Sequence, residues 1–317
     1  MTHGAGALVQ VTADQRASFE RGSAMTSAGT AEVALKNILF ATDFSPGANK
    51  AEPFLGALAR RFGSKVQVVH VVELSAAFKT PDAGICIDAF RKSGAENLAR
   101  AQTRLTATGV ETEAILTEGI DAAKQILQVA NENAADLIVG GTRGQGSLAR
   151  LALGSVAEHL IYHAICPVLT VGPNVKPLAA GETFKQIICA TDFSTQATHA
   201  VKFAMALAQS YGAHMFLCHV LPRSDGSNHI DVQQLTGKFQ ADLQALIPES
   251  ARQSCEPECV VDHGYAADGI LLLARRVKSD LIILGTHRSS HWFANLKTGI
   301  AFEVTRTAAC PVLTLRG

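Results

Sequence analysis

The sequence lacks an excess of either charge, long apolar runs and a signal segment, which are features of nucleic-acid-binding, membrane and secreted proteins. Lys and Arg together number 28, as do Asp and Glu, so the formal net charge is +0. Because no excess charge attracts polyanions at long range, neither nucleic acid nor an anionic membrane surface is an expected partner. No apolar run reaches the ~18 residues of a membrane-spanning helix, and the first residues lack the basic and apolar segments of a signal peptide. We therefore expect a cytoplasmic protein.

Aromatic residues and paired cysteines are also scarce. Aromatic side chains make up 6% of the chain and hydrophobic residues 47%, so we expect a core built from Ala, Val, Leu and Ile. The seven cysteines are odd in number and mostly lie in apolar runs, which favours buried thiols over a disulfide framework. With 317 residues, the chain fits two domains of roughly 150 residues each.

An internal repeat supports this division. The stretch NILFATDFS at 37–45 returns as QIICATDFS at 186–194, and CPVLTV at 166–171 returns as CPVLTL at 310–315. Repetition over about one domain length predicts two similar units. The predicted boundaries are a loose N-terminal tail at 1–35, a first domain at 36–173, a linker at 174–184 and a second domain at 185–317.

Each half alternates short apolar runs with amphipathic stretches. Short apolar runs predict strands, and spacings of three or four predict helices. In the helix predicted at 46–62, Pro53 either belongs to a delayed first turn or kinks the helix. The alternation predicts an α/β protein whose halves are each a Rossmann-like, five-stranded parallel sheet flanked by helices. The strands predicted in the first half are 38–42, 66–72, 111–116, 136–141 and 167–171, and the second helices of the two halves are 82–108 and 228–248.

A glycine motif follows the fourth predicted strand of the first half. Gly141, Gly144, Gly154 and Ser155 form the pattern G-x2-G-x9-G-S. Ligands of open α/β sheets bind at the carboxyl ends of strands, and amides without a neighbouring Cβ can approach phosphate oxygens. Ser155 opens a predicted helix, whose start adds unpaired N–H groups. A tight turn with a serine cap would explain any one of these residues, but the whole spacing, together with Asp43, favours a phosphate site. The GxxxxGK[ST] pattern of P-loop NTPases does not occur.

Taken together, these motifs resemble the universal stress protein family in a tandem form. The resemblance rests on ATDFS, the His70-Val71 pair, the glycine motif and CPVLTV, and it covers residues 36–317. The glycine motif is similar to that of the ATP-binding branch. The resemblance implies ATP as ligand, with Asp43 near the ribose and near a Mg ion that ATP could bring, and with the backbone of Val71 at the adenine. The residues implied to line the site are Thr42, Asp43, Val71, Gly140, Gly141, Arg143, Gly144, Gly154, Ser155 and Val156.

The second half departs from this pattern at the phosphate end. Asp192, Val220 and Gly285 remain, but Arg288 stands where Gly144 stood, and Thr298-Gly299 replace Gly154-Ser155. If the turn needs a positive φ, arginine there costs about 1–2 kcal/mol, and a lost amide contact to a charged phosphate costs about 1.5–3 kcal/mol. The prediction is an occupied first site and a weak or empty second site. In the alternative, Arg288, with His287 and His291 nearby, restores the second site by charge.

The predicted function is that of an ATP-binding regulatory protein of the stress response. The sequence assembles no nucleophile–base pair and no paired carboxylates over the phosphates, which disfavours an enzyme. Two alternatives stay open: a slow ATPase or phosphate-transfer enzyme, and a protein-interaction module that needs no nucleotide. His70 and His219 are interpreted as strand histidines hydrogen-bonded within the sheet. The resemblance further implies that the halves pair through their fifth strands, and a homodimer remains an open alternative.

Overall fold

The computed structural model describes residues 33–74, 83–144, 153–179, 181, 183–222, 232–252, 256–286 and 299–316. The first half contains β1 (Asn37–Ala41), α1 (Pro46–Asn49), α2 (Glu52–Phe62), β2 (Lys65–Glu73), α3 (Ala83–Thr106), β3 (Thr112–Gly119), α4 (Ala122–Glu132), β4 (Leu137–Gly141), α5 (Ser155–His163) and β5 (Val168–Val171). The second half contains β6 (Gln186–Ala190), α6 (Thr195–Tyr211), β7 (His214–Leu221), α7 (Val232–Ala245), α8 (Glu249–Arg252), β8 (Glu258–His263), α9 (Ala266–Val277), β9 (Leu281–Thr286), α10 (Ile300–Thr307) and β10 (Val312–Arg316).

The described strands form one continuous sheet in the order β3-β2-β1-β4-β5-β10-β9-β6-β7-β8. Pairing is parallel within each half, and the two halves are joined by antiparallel pairing of β5 with β10, where Leu169 lies opposite Leu313. Each half is therefore a five-stranded parallel sheet flanked by helices, and the predicted α/β fold is confirmed. The fifth strands pair as the resemblance implies, so neither is left as an open edge.

Apolar residues fill both faces of this sheet. On one face, a single cluster runs through both halves and includes Phe40, Leu169, Ile187 and Leu313. On the other face, Leu39 and Ile138 belong to a cluster under α4 and α5 of the first half, and a separate cluster lies under α9 and α10 of the second half. The halves thus share one core layer, which fixes the strand ends of one half relative to the other.

Pro53 divides the first helical segment of the first half. The chain forms α1, and then α2 begins at Glu52 with Pro53 in its first turn, where the missing N–H costs nothing. This is the delayed first turn of the two alternatives. The second half has no proline there, and α6 runs unbroken from Thr195 to Tyr211.

Buried residues lie at the C-terminal end of the predicted tail and at both ends of the predicted linker. Val33 and Leu35 are buried in the shared core, so the prediction that the loose tail extends to residue 35 is wrong at its last residues; residues 1–32 lie outside the described part. The apolar stretch Val33-Ala34-Leu35 is too short to show a period in the sequence. Val175 and Phe184 are likewise buried, and the Phe184 ring makes an edge contact with Tyr211 at 5.3 Å between centroids. The linker therefore packs against both halves.

The described cysteines are free thiols, and four of them are buried. This agrees with the expectation of buried thiols, although Cys255 lies outside the described residues. Among the helices that the structure describes, none has the length and apolar character needed to cross a membrane.

Candidate functional site

The chain bends sharply where β1 ends, at Thr42-Asp43-Phe44-Ser45. The Thr42 N–H donates to the Val69 carbonyl at 3.0 Å, and the Thr42 hydroxyl accepts from the Phe44 N–H at 3.0 Å. The Ser45 N–H donates to Oδ1 of Asp43 at 3.1 Å, which fixes the carboxylate over the bend. Phe44 has φ 61°, an unfavourable value for a residue with a side chain. The four residues therefore hold a demanding turn through their own polar groups.

The end of β4 lies against the start of α1. A Cβ on Gly141 would lie 2.9 Å from the backbone nitrogen of Ala48, so only glycine lets α1 approach this closely. The Ser45 hydroxyl caps α1 by accepting from the Ala48 N–H at 3.2 Å and also donates to the Arg143 carbonyl at 3.3 Å. Gly141 thus has an architectural reason to be glycine, independent of any ligand.

Asp43 and Gly144 lie close together beyond the carboxyl ends of the neighbouring strands β1 and β4. A Cβ on Gly144 would lie 2.8 Å from Oδ2 of Asp43, so a side chain there would displace the carboxylate. The φ of Gly144 is outside the left-handed region, so the condition that this turn needs a positive φ is not met. The missing side chain matters because of its closeness to Asp43, not because of backbone strain.

The other part of the glycine motif lies beside the same strand end. The Gly154 N–H donates to the Thr142 carbonyl at 2.8 Å, and a Cβ on Gly154 would lie 3.2 Å from that oxygen. Gly154 is the N-cap of α5, with φ −68° and ψ 145°, and α5 begins at Ser155 as predicted. Ser155 is exposed. The start of α5, with its positive dipole end, therefore opens to solvent next to Asp43 and Gly144.

Val71 and Val156 lie on the same face of the sheet. Both pack against the cluster under α4 and α5. β1 ends where Ala41 pairs with Val69, and backbone groups of alternate residues point to the same side of a strand. The N–H and C=O of Val71 therefore face the side from which β1 has already turned away, and a planar ring with donors and acceptors could reach them there.

The structure brings the predicted residues of the first half to one place, with differences in role. Gly140 needs no special explanation, since its Cβ would meet only the Ala41 carbonyl at an ordinary 3.5 Å. Arg143 is half-buried and adds a positive charge beside Gly144. Residues 145–152, between the two parts of the motif, lie outside the described residues. In the part of the chain that the structure describes, no group of three metal-ligating side chains occurs.

The second half repeats the bend but not its surroundings. The Ser194 N–H donates to Oδ1 of Asp192 at 3.0 Å, and Phe193 has φ 62°. A Cβ on Gly285 would lie 2.7 Å from the backbone nitrogen of Ala197, which repeats the architectural role of Gly141. Asp192 is exposed, however, whereas Asp43 is half-buried. Val220, the counterpart of Val71, contacts α9 closely, since a Cβ on Gly269 would lie 2.9 Å from it; Arg288 lies outside the described residues.

The start of α10 differs from that of α5. The C-caps Ala164 and Ala308 correspond, and in this register Gly299 stands in the place of Ser155, as expected from the sequence. Gly299 is the N-cap of α10 and Ile300 its first residue, so α10 begins one residue later than α5 and has no hydroxyl at the position of Ser155. A Cβ on Gly299 would lie 2.8 Å from the hydroxyl oxygen of Tyr162, which α5 of the first half contributes. Burial, and then the charge of Glu158, raise the pKa of Tyr162, so this hydroxyl stays neutral. Both helix starts are exposed, and they differ in that the Tyr162 hydroxyl lies beside the start of α10.

Sequence reasoning missed Tyr162 and underrated His70. His70 and His219 are hydrogen-bonded within the sheet as interpreted, through Nδ1 to the carbonyls of Thr42 at 2.9 Å and Thr191 at 2.7 Å. Both bonds end on the residue before the aspartate of the bend. The signal was the recurrence of histidine at the same strand position, whereas a contact between the halves, such as that of Tyr162, leaves no local pattern.

Comparison with known proteins now decides the family. A family model described as the universal stress protein family matches residues 34–172 and again residues 183–316. The chain belongs to the universal stress protein family. It carries the family domain twice in tandem.

Individual relatives match one domain of this chain. A universal stress protein of Methanocaldococcus jannaschii is 34% identical over 139 residues, which are 43% of this chain and 81% of that protein. One from Thermus aquaticus is 38% identical over 141 residues, which are 43% of this chain and 98% of that protein. A universal stress protein structure from Archaeoglobus fulgidus matches 89% of this chain and 97% of its own, with a TM-score of 0.69 and 20% identity. At that identity, the likeness supports the fold of the tandem arrangement alone.

Proposed function

We propose that this tandem universal stress protein binds ATP in its first half and acts as a nucleotide-dependent regulatory protein of the stress response. The observation that carries the proposal is the closeness of Asp43 Oδ2 to Gly144 beside the open start of α5. A carboxylate, side-chain-free backbone and a helix start close to one another are the groups that a nucleoside triphosphate needs.

The chemistry of these residues fits each part of ATP. The Asp43 carboxylate only accepts hydrogen bonds, which suits the ribose hydroxyls. The backbone at Gly144 and the first N–H groups of α5 suit the phosphates, and the Ser155 hydroxyl is exposed beside them. The Gly154 N–H is engaged by the Thr142 carbonyl, so Gly154 would contribute as the N-cap that precedes these groups. The Val71 backbone would meet the adenine edge. Asp43 would offer a carboxylate oxygen to a Mg ion bound to the phosphates.

We assign the nucleotide to the first half because the second half differs in two of these features. Asp192 is exposed instead of half-buried. The start of α10 faces the Tyr162 hydroxyl and begins with Ile300. Binding in the first half alone would act on the shared sheet from one side, and it changes conformation or assembly only if ATP has different affinities for two states of the protein.

The test has two steps on the full chain. Freshly purified protein is denatured and any released nucleotide is identified by chromatography, and nucleotide-free protein is then titrated with ATP, with and without Mg, by calorimetry. We expect adenine nucleotide in the extract and one ATP per chain in the titration. If the protein does not bind ATP in the titration, the result would support a nucleotide-independent interaction module. Steady phosphate release above background would support the slow ATPase.

A further inference from the structure

We propose that His70 is a positioning residue of the nucleotide site, which holds the Asp43 carboxylate in its binding orientation from the opposite face of the sheet. The inference rests on the proposed nucleotide site and adds a residue that does not touch the ligand. His70 lies on β2, and its neighbours are the residues immediately before and after Asp43.

The hydrogen bond of His70 fixes the residue before Asp43. Its Nδ1 lies 2.9 Å from the Thr42 carbonyl. Because a carbonyl oxygen only accepts, Nδ1 carries the proton and donates. This carbonyl belongs to the peptide that leads into Asp43, so the bond sets the direction in which the chain leaves β1.

The ring of His70 fixes the residue after Asp43. It contacts the Phe44 ring at 4.5 Å between centroids. Phe44 adopts φ 61°, a conformation that persists only where the surrounding structure determines it. Holding both neighbours of Asp43 leaves its side chain one direction, in which Oδ1 accepts from Ser45 and Oδ2 lies against Gly144.

The other edge of the His70 ring is held by α3. A Cβ on Gly94 would lie 3.0 Å from Cδ2 and 3.4 Å from Nε2 of His70, so the helix backbone packs directly on the imidazole. The second half solves the same problem differently, because the Phe239 ring stacks on His219 with centroids 4.8 Å apart. The histidine is therefore held in both halves, and among the glycines that the structure describes, Gly144 beside Asp43 has no equivalent at Asp192.

The experiment compares three variants of the full chain by calorimetric titration with ATP. His70→Phe keeps a ring but removes the donor, His70→Asn keeps a donor close to the place of Nδ1, and His219→Phe is the matched control in the second half. Loss of one hydrogen bond is worth about fivefold to tenfold in an equilibrium constant. We expect His70→Phe to weaken ATP binding by about that factor, and His219→Phe to have no effect. His70→Asn restores the donor but loses the ring contact with Phe44, so we expect it to weaken binding less than His70→Phe does. Equal weakening by His70→Phe and His219→Phe, or no rescue by asparagine, would overturn the inference.

A second measurement keeps the inference separate from the proposed function. The exchange rate of the Ser45 amide, followed by NMR without nucleotide, reports the bond to Asp43 Oδ1. We expect exchange about fivefold to tenfold faster in His70→Phe and a smaller increase in His70→Asn, which keeps a donor but loses the ring contact. If the unchanged protein does not bind ATP, the proposed function fails, and the Ser45 exchange rate still decides whether His70 positions Asp43. An unaltered rate in His70→Phe would overturn the positioning role.

Discussion

The two halves of this chain share a backbone design and differ in what surrounds it. Both have an aspartate at the bend after the first strand, a serine cap, a strand histidine and a glycine that admits the first helix. Asp43 then meets Gly144 beside an open helix start, whereas Asp192 is exposed and the helix start of its half faces Tyr162. The residues that fold the unit are kept in both halves, whereas the described surroundings of the two aspartates differ.

The largest expected effect concerns what the halves share. Leu169 and Leu313 lie opposite each other in the strand pair that joins the halves, and both are buried. Replacing either by alanine should cost about 2–5 kcal/mol in the free energy of unfolding. Urea denaturation of Leu169→Ala and Leu313→Ala should give similar losses. A loss at only one position would break the equivalence of the halves in this layer.

The next effect concerns what the halves do not share. Gly144→Ala places a Cβ against the Asp43 carboxylate and should weaken ATP binding by about tenfold to a hundredfold, because contacts to a charged ligand worth about 1.5–3 kcal/mol are lost. Calorimetric titration measures the change. Gly237→Ala in the second half is the matched control, since its Cβ would meet nothing within 4 Å, and it should change the affinity less than threefold, a factor of about 0.6 kcal/mol. Equal affinities of the two variants would show that the Asp43–Gly144 contact has no part in binding.

A third prediction uses the buried thiols. Burial raises the pKa of Cys218 to about 12, and its counterpart in the first half is Val69. The folded thiol therefore stays protonated while the unfolded one ionises above its pKa of ~8.5, so the stabilisation is full below that pH and falls as the pH rises toward 12. Between pH 8 and pH 10, Cys218 should account for about 2 kcal/mol of lost stability. Urea denaturation at both pH values should show a smaller loss for Cys218→Ala, and an unchanged loss would contradict the prediction.

The smallest effect concerns an ion pair of the first half. Arg104 and Glu52 pair at 2.5 Å between α3 and α2, with the arginine side chain half-exposed. Arg104→Ala should cost less than about 1 kcal/mol, because exposed pairs gain little. In the second half the counterpart of Glu52 is the buried Val201. A loss above about 2 kcal/mol in thermal or urea unfolding would mean that this pair contributes more than exposed pairs do.

Most of the fold could be predicted from the sequence because its signals are local. Alternating apolar runs gave the strands, the first predicted residue of α5 is its observed one, and Pro53 marked the start of α2. The joining of the halves came from the resemblance to the family, since nothing local in a strand such as 168–171 names its partner.

The candidate site was less predictable, because its roles depend on contacts between distant segments. The sequence could not separate Gly141, which admits α1, from Gly144, which faces Asp43. It also could not show that Tyr162 reaches the start of α10 in the other half. A glycine motif fixes where side chains are missing, but only the packed structure shows what fills or leaves open the space.

A matched pair of aspartate variants tests whether the chain has one nucleotide site and whether that site lies in the first half. Asp43→Ala and Asp192→Ala are titrated with ATP by calorimetry beside the unchanged protein. We predict that Asp43→Ala loses ATP binding and that Asp192→Ala keeps one ATP per chain at unchanged affinity. Stoichiometric binding that survives in Asp43→Ala, or is lost in Asp192→Ala, would contradict it.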